Sequence, residues 1–242
     1  MPPASPTPLP PAAAVAVLHR DTAVLVVDKP AGWLVIPGRV AGEPSLREAL
    51  QAEHGPLWVV HRLDRGTSGV LVFARSAAAH RALNLAFDRG EPEKTYLALV
   101  AGLPADDAWR CEATIATGRK GRMRPGRAGE AGAKAAATAF RVLQRLEARA
   151  GCPAALVEAR PETGRTHQIR VHLRCAGHPL LLDPDYGEAA PLLDAAGTPV
   201  LARTPLHAAR LSLPHPAGGR LALEAPLPAD LAAALALLGG AG

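Results

Sequence analysis

Two polar stretches hold the residues whose types and spacing could do chemistry. The first is HRLDRGTSGVLVFAR, residues 61–75, in which Asp64 lies between Arg62 and Arg65. Neighbouring cations favour the charged form of a carboxylate, so Asp64 is placed to act as a nucleophile or a base. It has a plainer reading too, in which it only organises its loop by accepting the amides of Thr67 or Ser68. The second stretch is PETGRTHQIRVHL, residues 161–173. It gathers Thr163, Arg165, Thr166, His167, Gln168 and Arg170 among the apolar Ile169, Val171 and Leu173. Half-buried segments rarely hold so many donors without a partner, and an anionic or hydrogen-bond-rich ligand is the simplest one. Arginine offers planar, two-pronged donors that suit a phosphate, or a carboxylate such as Asp64. His167 and His172 are five positions apart, on different faces of either a helix or a strand, so no metal site is expected. Lys94 and Tyr96 alternate on one strand face, where a cation and an aromatic could hold a phosphate and stack a base. Core packing accounts for Tyr96 equally well.

These side chains need elements to position them. Apolar residues 57–60 and 70–73 flank the polar segment 61–69, giving strand, loop, strand. Residues 23–27 (AVLVV) form a buried strand stopped by Asp-Lys-Pro. A short helix over 45–52 opens on Ser45 with Glu48 three residues on, the capping-box pattern. Ala79, Leu83 and Phe87 recur at helical spacing within 76–88. Residues 95–100 and 155–159 read as strands. So do 139–146, although 140–149 also fits a helix. Residues 185–188 suggest a turn and 205–211 a short strand. Between Gly118 and Lys134, the cations Arg119, Lys120, Arg122, Arg124, Arg127 and Lys134 face one acid, Glu130, which predicts an exposed, mobile basic loop over 118–134.

Composition sets the wider frame. The 242 residues suffice for a sizeable core, and low aromatic content means that core is built from Leu, Val and Ala. A formal charge of +5 suits a polyanionic partner, though surface solvation also explains it. Cys111, Cys152 and Cys175 lack the paired spacings of zinc or disulfide frameworks, which fits a reducing cytoplasm. The chain start lacks the basic region of a secretory signal, and no apolar run approaches the roughly 18–20 residues of a membrane span. There is no GxGxxG, phosphate-loop or HExxH signature, so the chemistry is expected to run on side chains with no cofactor and no metal. Residues 1–14 are expected to be a disordered Pro/Ala-rich tail ahead of one domain over 15–242.

Taken in order, the motifs resemble the RluA family of RNA pseudouridine synthases. The matching pieces are DKPAGWLVIPG (28–38), HRLDRGTSGVLVFAR, EKTYLALVAG (93–102), PETGRTHQIRVHLRCAGHPL (161–180), DYG (185–187) and LHAARLSLPHP (206–216). The resemblance implies an α+β fold: a mixed, mostly antiparallel central sheet with flanking helices and an active-site cleft. It implies isomerisation of specific uridines to pseudouridine, with Asp64 at the catalytic position. Tyr96 would pack against the target base, Arg165 would pair with the aspartate, Arg62 would lie near the flipped nucleotide, and Ile169 would form an apolar wall. Thr67, Lys94, His167 and Gln168 join them as substrate- or RNA-binding residues, and Arg119, Lys120, Arg122 and Arg124 as phosphate contacts. The implied partner is an rRNA or tRNA stem-loop, met by a cytoplasmic monomer without metal or membrane. The chain departs from the family at Leu182-Asp183, where relatives carry Gly-Asp, and in the basic insert. Two competing readings are a non-catalytic RNA-binding or ribosome-assembly factor of the same fold, and a nucleoside hydrolase. The set Asp64, Tyr96 and Arg165 opposes the first, and the second lacks a water-activating cluster.

Overall fold

The computed structural model describes residues 15–38, 43–146 and 153–239, with the Lys120 side chain left aside. The expected tail at 1–14, Cys152 and residues 147–149 lie outside the described residues. The chain divides into two units, one of Met1–Pro92 with Ser212–Ala225, the other of Glu93–Leu211 with Pro226–Gly242.

The first unit begins with β1 (Val17–Arg20), β2 (Val24–Lys29), α1 (Leu46–His54), β3 (Trp58–Val59), β4 (Ser68–Ala74) and α2 (Ala77–Asp88). The run from Val24 to Val27 has no polar face, and all four residues are fully buried. It pairs antiparallel with β4, from Val24 with Ala74 to Lys29 with Gly69. All seven residues of β4 are buried as well. β3 is shorter than the expected 57–60 and also pairs with β4 (Trp58 with Ala74, Val59 with Phe73), so the polar residues 61–67 connect two neighbouring strands.

The helices start where their capping residues predict. The Ser45 hydroxyl accepts the Glu48 amide at 3.3 Å, and the Glu48 carboxylate accepts the Ser45 amide at 3.1 Å. Ser76 caps α2 by accepting the Ala79 amide at 3.1 Å. Ala79 and Leu83 are buried as their spacing predicts, and Ala86 is the third buried residue. Phe87 is half-buried and stacks on His61, with ring centroids 5.0 Å apart.

The second unit holds β5 (Glu93–Ala101), β6 (Ala108–Cys111), β7 (Ile115–Thr117), β8 (Met123–Pro125), β9 (Thr138–Leu146), β10 (Ala154–Pro161) and α3 (Gln168–Cys175). β11 (Leu192–Leu193), β12 (Pro199–Leu201), β13 (Leu206–Pro214) and, after the chain has left and returned, α4 (Ala229–Gly239) follow. β9 is a strand, which settles the helix-or-strand ambiguity of 140–149 over its described part, 140–146. β5, β10, β9 and β6 pair in that order, all antiparallel. Period-two alternation gives this sheet two apolar faces. Ala98, Val100, Ala155, Val157 and Ala159 pack with Ile169 and Leu173 of α3. Leu99 and Ala154 pack with Leu231, Ala234 and Leu238 of α4.

β13 crosses the boundary at Leu211 and Ser212 and leads back to the first unit, where β14 (Arg220–Glu224) completes it. There Asp21 fastens the returning segment, its carboxylate meeting His19 Nε2 at 2.8 Å and His215 Nε2 at 2.9 Å. Burial alone would raise the Asp21 pKa. The hydrogen bonds from His19, the Val24 and Ala23 amides and His215 outweigh it, holding the carboxyl well below the usual range. With antiparallel pairing and four α-helices among the described residues, the architecture is the expected α+β class. Among the described residues no helix is long and apolar enough to cross a membrane.

Candidate functional site

In the first unit, the loop between β3 and β4 carries Asp64. The Thr67 amide donates to the Asp64 backbone carbonyl at 3.0 Å, closing a turn in which the Asp64 side chain is half-exposed. The Thr67 amide is therefore taken by the Asp64 main chain. Beneath the turn lies Lys29, with no exposed surface. Its ammonium donates to the carbonyls of Thr67 at 2.8 Å, Pro30 at 3.0 Å and Arg65 at 3.3 Å. Arg65 is tied down from above, by Glu43 at 2.7 Å and the Gly32 carbonyl at 3.1 Å. His61 anchors the loop's other end by accepting the Val72 amide at 3.1 Å. Leu63 points into the core, whereas Arg62 is exposed. Thr67 is 1% exposed and its hydroxyl is buried with no hydrogen-bond partner among the described residues, so it lies under the loop surface.

In the second unit, the connection from β10 to α3 carries the other cluster. Gln168 organises it. Its carbonyl accepts the Thr163 hydroxyl at 2.7 Å and the Arg165 amide at 3.0 Å. Its amide donates to the Ala137 carbonyl at 2.9 Å and the Thr138 hydroxyl at 3.0 Å. Arg165 is exposed, with Nε donating to the Ala135 carbonyl at 3.0 Å. His167 is the one non-glycine described at positive φ, 54°, a conformation that needs support. Tyr186 supplies it, through a 2.8 Å hydrogen bond to Nδ1 and an edge-on ring contact. Lys94 reaches the Thr163 carbonyl at 3.3 Å, and burial lowers its pKa. Tyr96 is half-buried and packs against the cluster containing Ile169, so this unit brings those two residues together.

Arg170 turns inward. It forms a two-pronged pair with the fully buried Asp183 at 2.7 and 2.6 Å and reaches Asp185 at 2.7 Å. Its guanidinium also lies over the Tyr186 ring, 4.9 Å from the centroid. Burial pushes the Tyr186 hydroxyl up to about 12. His172 meets the Thr138 hydroxyl and the Ala113 carbonyl, both at 2.9 Å. Much of the donor density in 161–173 is thus used inside the unit, by Gln168, Arg170, His172 and Thr163. Arg165 and Thr166 are left at the surface.

The basic segment carries structure. β7 and β8 pair as a hairpin around a 3-10 turn at Arg119–Gly121. Ile115 and Met123 pack with Val171 of α3 and Tyr186. Arg124 makes a two-pronged pair with Glu130 at 2.9 and 2.5 Å. That hydrogen bond, before all else, holds the Glu130 carboxyl down at about 2. Arg122 reaches the Pro184 carbonyl at 3.1 Å and Asp185 at 3.3 Å. Arg119 is exposed.

Sequence reasoning overlooked two residues as organisers. Lys29 had one signal, a second charge after Asp28 closing an otherwise apolar strand just before a proline. Asp183 had only its place in the Leu-Asp departure.

Comparison with known proteins gives consistent matches. Residues 23–174 match the family model described as RNA pseudouridylate synthase. The chain is 40% identical over 228 residues to ribosomal large subunit pseudouridine synthase D of Nitrosomonas europaea, covering 90% of this chain and 64% of that one. It is 36% identical over 212 residues to the dual-specificity RNA pseudouridine synthase RluA of Escherichia coli, covering 87% and 92%. The solved structure of human RNA pseudouridylate synthase domain containing 1 superposes with a TM-score of 0.74 at 27% identity, covering 92% and 87%. Domain containing 4 gives 0.71 at 29%, covering 92% of each chain.

Proposed function

The chain belongs to the RNA pseudouridylate synthase family, within its RluA group, and from that premise we propose that Asp64 is the catalytic carboxylate. The enzyme forms pseudouridine in RNA. The reaction breaks the bond from uracil N1 to C1′, turns the base while it stays bound, and joins C5 to C1′. The C5 proton leaves and N1 regains one, so the product is an isomer and no co-substrate is consumed. Two routes use the same carboxylate: attack on C1′, or removal of the 2′ proton. By the family resemblance Arg165 would pair with the aspartate, Tyr96 and Ile169 would wall the base, and Arg62 would lie beside the extruded nucleotide.

The observation that carries this reading is the clasp beneath residues 61–67. Buried Lys29 holds three carbonyls of the surrounding backbone and so fixes a half-exposed carboxylate on rigid strands. Tritium release from RNA labelled at uracil C5 tests it. Asp64→Asn is expected to lower release by roughly 10²- to 10⁴-fold. Equal release from wild type and variant overturns the assignment.

The substrate proposed is a stem-loop of rRNA or tRNA, bound by a cytoplasmic monomer, a compartment that suits the free thiols of Cys111 and Cys175. Thr67, Lys94, His167 and Gln168 then act by holding the substrate-binding segments in place. Phosphate contacts fall to the basic hairpin. Because Arg122 and Arg124 already have acidic partners, Arg119 should contribute most there. Replacing Arg119, Lys120, Arg122 and Arg124 by Ala should weaken RNA binding and flatten its salt dependence, and Arg119→Ala should account for the larger part. An unchanged salt slope removes the hairpin from the interface.

A further inference from the structure

A cavity of about 450 Å³ opens on the first unit, away from the residues assigned so far. Arg47 and Gln51 of α1, Trp58 and Val59 of β3 and His80 of α2 line it, with two apolar residues ahead of β3. No carboxylate is among the lining residues. Arg47 is half-buried, and its Nε is buried with no hydrogen-bond partner among the described residues. The acid beside it in sequence, Glu48, is engaged by the amide and hydroxyl of Ser45. Arg47 is nevertheless on the lining, and the planar donors of a guanidinium suit a phosphate.

The rest of the lining narrows the ligand. Trp58 is half-buried and offers an indole, the side chain best suited to stack a base. Gln51 both donates and accepts, as the edge of a base requires. His80 sets its ring against the Val59 carbonyl at 3.2 Å and Asn84 at 3.1 Å, fixing one wall. A cation, an aromatic and a carboxamide over an apolar floor make a set for a phosphate joined to a planar heterocycle. The volume suits one nucleotide and excludes a duplex. Val59 stands two residues before His61, where the loop of Asp64 begins, so an occupant would rest against the strand that feeds that loop.

We propose that this cavity is a nucleotide subsite, seating one unstacked nucleotide with its phosphate at Arg47 and its base against Trp58. The proposal rests on the RNA-modifying reading above and deepens it. Free nucleoside monophosphate and a nucleotide within an RNA strand share the chemistry, and the test separates them.

Full-length protein is titrated with a labelled short oligouridylate at several salt concentrations, with and without UMP as competitor. The titration is repeated in an Asp64→Asn background, so that binding here is read independently of the catalytic assignment. Trp58→Leu should weaken oligonucleotide binding by roughly 5- to 150-fold with the salt slope unchanged. Arg47→Gln should weaken it and reduce the slope of log affinity against log salt by about one. Competition by UMP, lost in both variants, identifies a seat that also takes free nucleotide. Weakening by both variants without UMP competition identifies the RNA strand as the source. Arg47 is half-buried in the first turn of α1, and Arg47→Gln keeps a long polar side chain there, so it still decides the matter should Trp58→Leu fail to fold. Wild-type affinity and slope in Arg47→Gln overturn the proposal.

Discussion

The loop of Asp64 is held from beneath by a buried ammonium, whereas the connection of Arg165 is held by a neutral carboxamide. Lys29 has donors only, and it gathers carbonyls that converge on one point. Gln168 has both donors and acceptors, and it bridges a hydroxyl and an amide on one side to a carbonyl and a hydroxyl on the other. Each clasp fits the backbone it serves. A tight turn presents its carbonyls inward, while a connection between a strand and a helix passes groups of both kinds. The difference also sets how each should fail. A buried charge and its acceptors stand or fall together, whereas the loss of a buried but neutral carboxamide leaves only uncharged groups unpaired.

Lys29→Met is therefore expected to have the largest effect. It strands converging carbonyls and should cost about 3–5 kcal/mol in urea denaturation, with activity falling alongside. A loss below about 1 kcal/mol would mean that the ammonium is incidental to the turn. Gln168→Leu should cost about 2 kcal/mol, and it should weaken RNA binding more than it slows turnover of bound RNA. An equal or greater loss than for Lys29→Met would erase the distinction between the clasps.

A third clasp sharpens the contrast, since Arg124 and Glu130 form their pair at the surface. The Glu130 carboxyl is lowered from about 4.5 to about 2, so its support of the hairpin is fully present above pH 4.5 and is lost as pH falls towards 2. Hairpin amides followed by NMR should move in that window and with added salt. Resonances of the Asp64 loop should stay in place as salt is raised. Hairpin amides insensitive to both acid and salt would show that apolar anchoring by Ile115 and Met123 suffices.

Local rules read much of this molecule from its sequence. Ser45 with Glu48, Ser76 with its apolar series, and the VLVV run each specify their element through neighbours a few residues away. Asp64 and Arg165 could be singled out because their polar motifs interrupt apolar strands. The clasps were harder to read, because Lys29 meets carbonyls 36 and 38 positions on, and a carbonyl leaves no mark in a sequence. Arg170 looked like a ligand-facing donor for a related reason. Its carboxylate partners sit 13 and 15 residues downstream, in a turn whose approach to α3 no periodicity encodes. Thr67 shows the converse, a polar residue in a polar motif that folds out of sight.

The return of the chain to the first unit bears on how the protein is made. Ser212–Ala225 completes that unit, and α4 supplies Leu231, Ala234 and Leu238 to the core of the second. Neither unit is whole until residues 212–239 have emerged from the ribosome, so the usual order of folding, amino-terminal part first, is closed to this chain. Until then the apolar strands around Asp64 lack the segment that completes their unit.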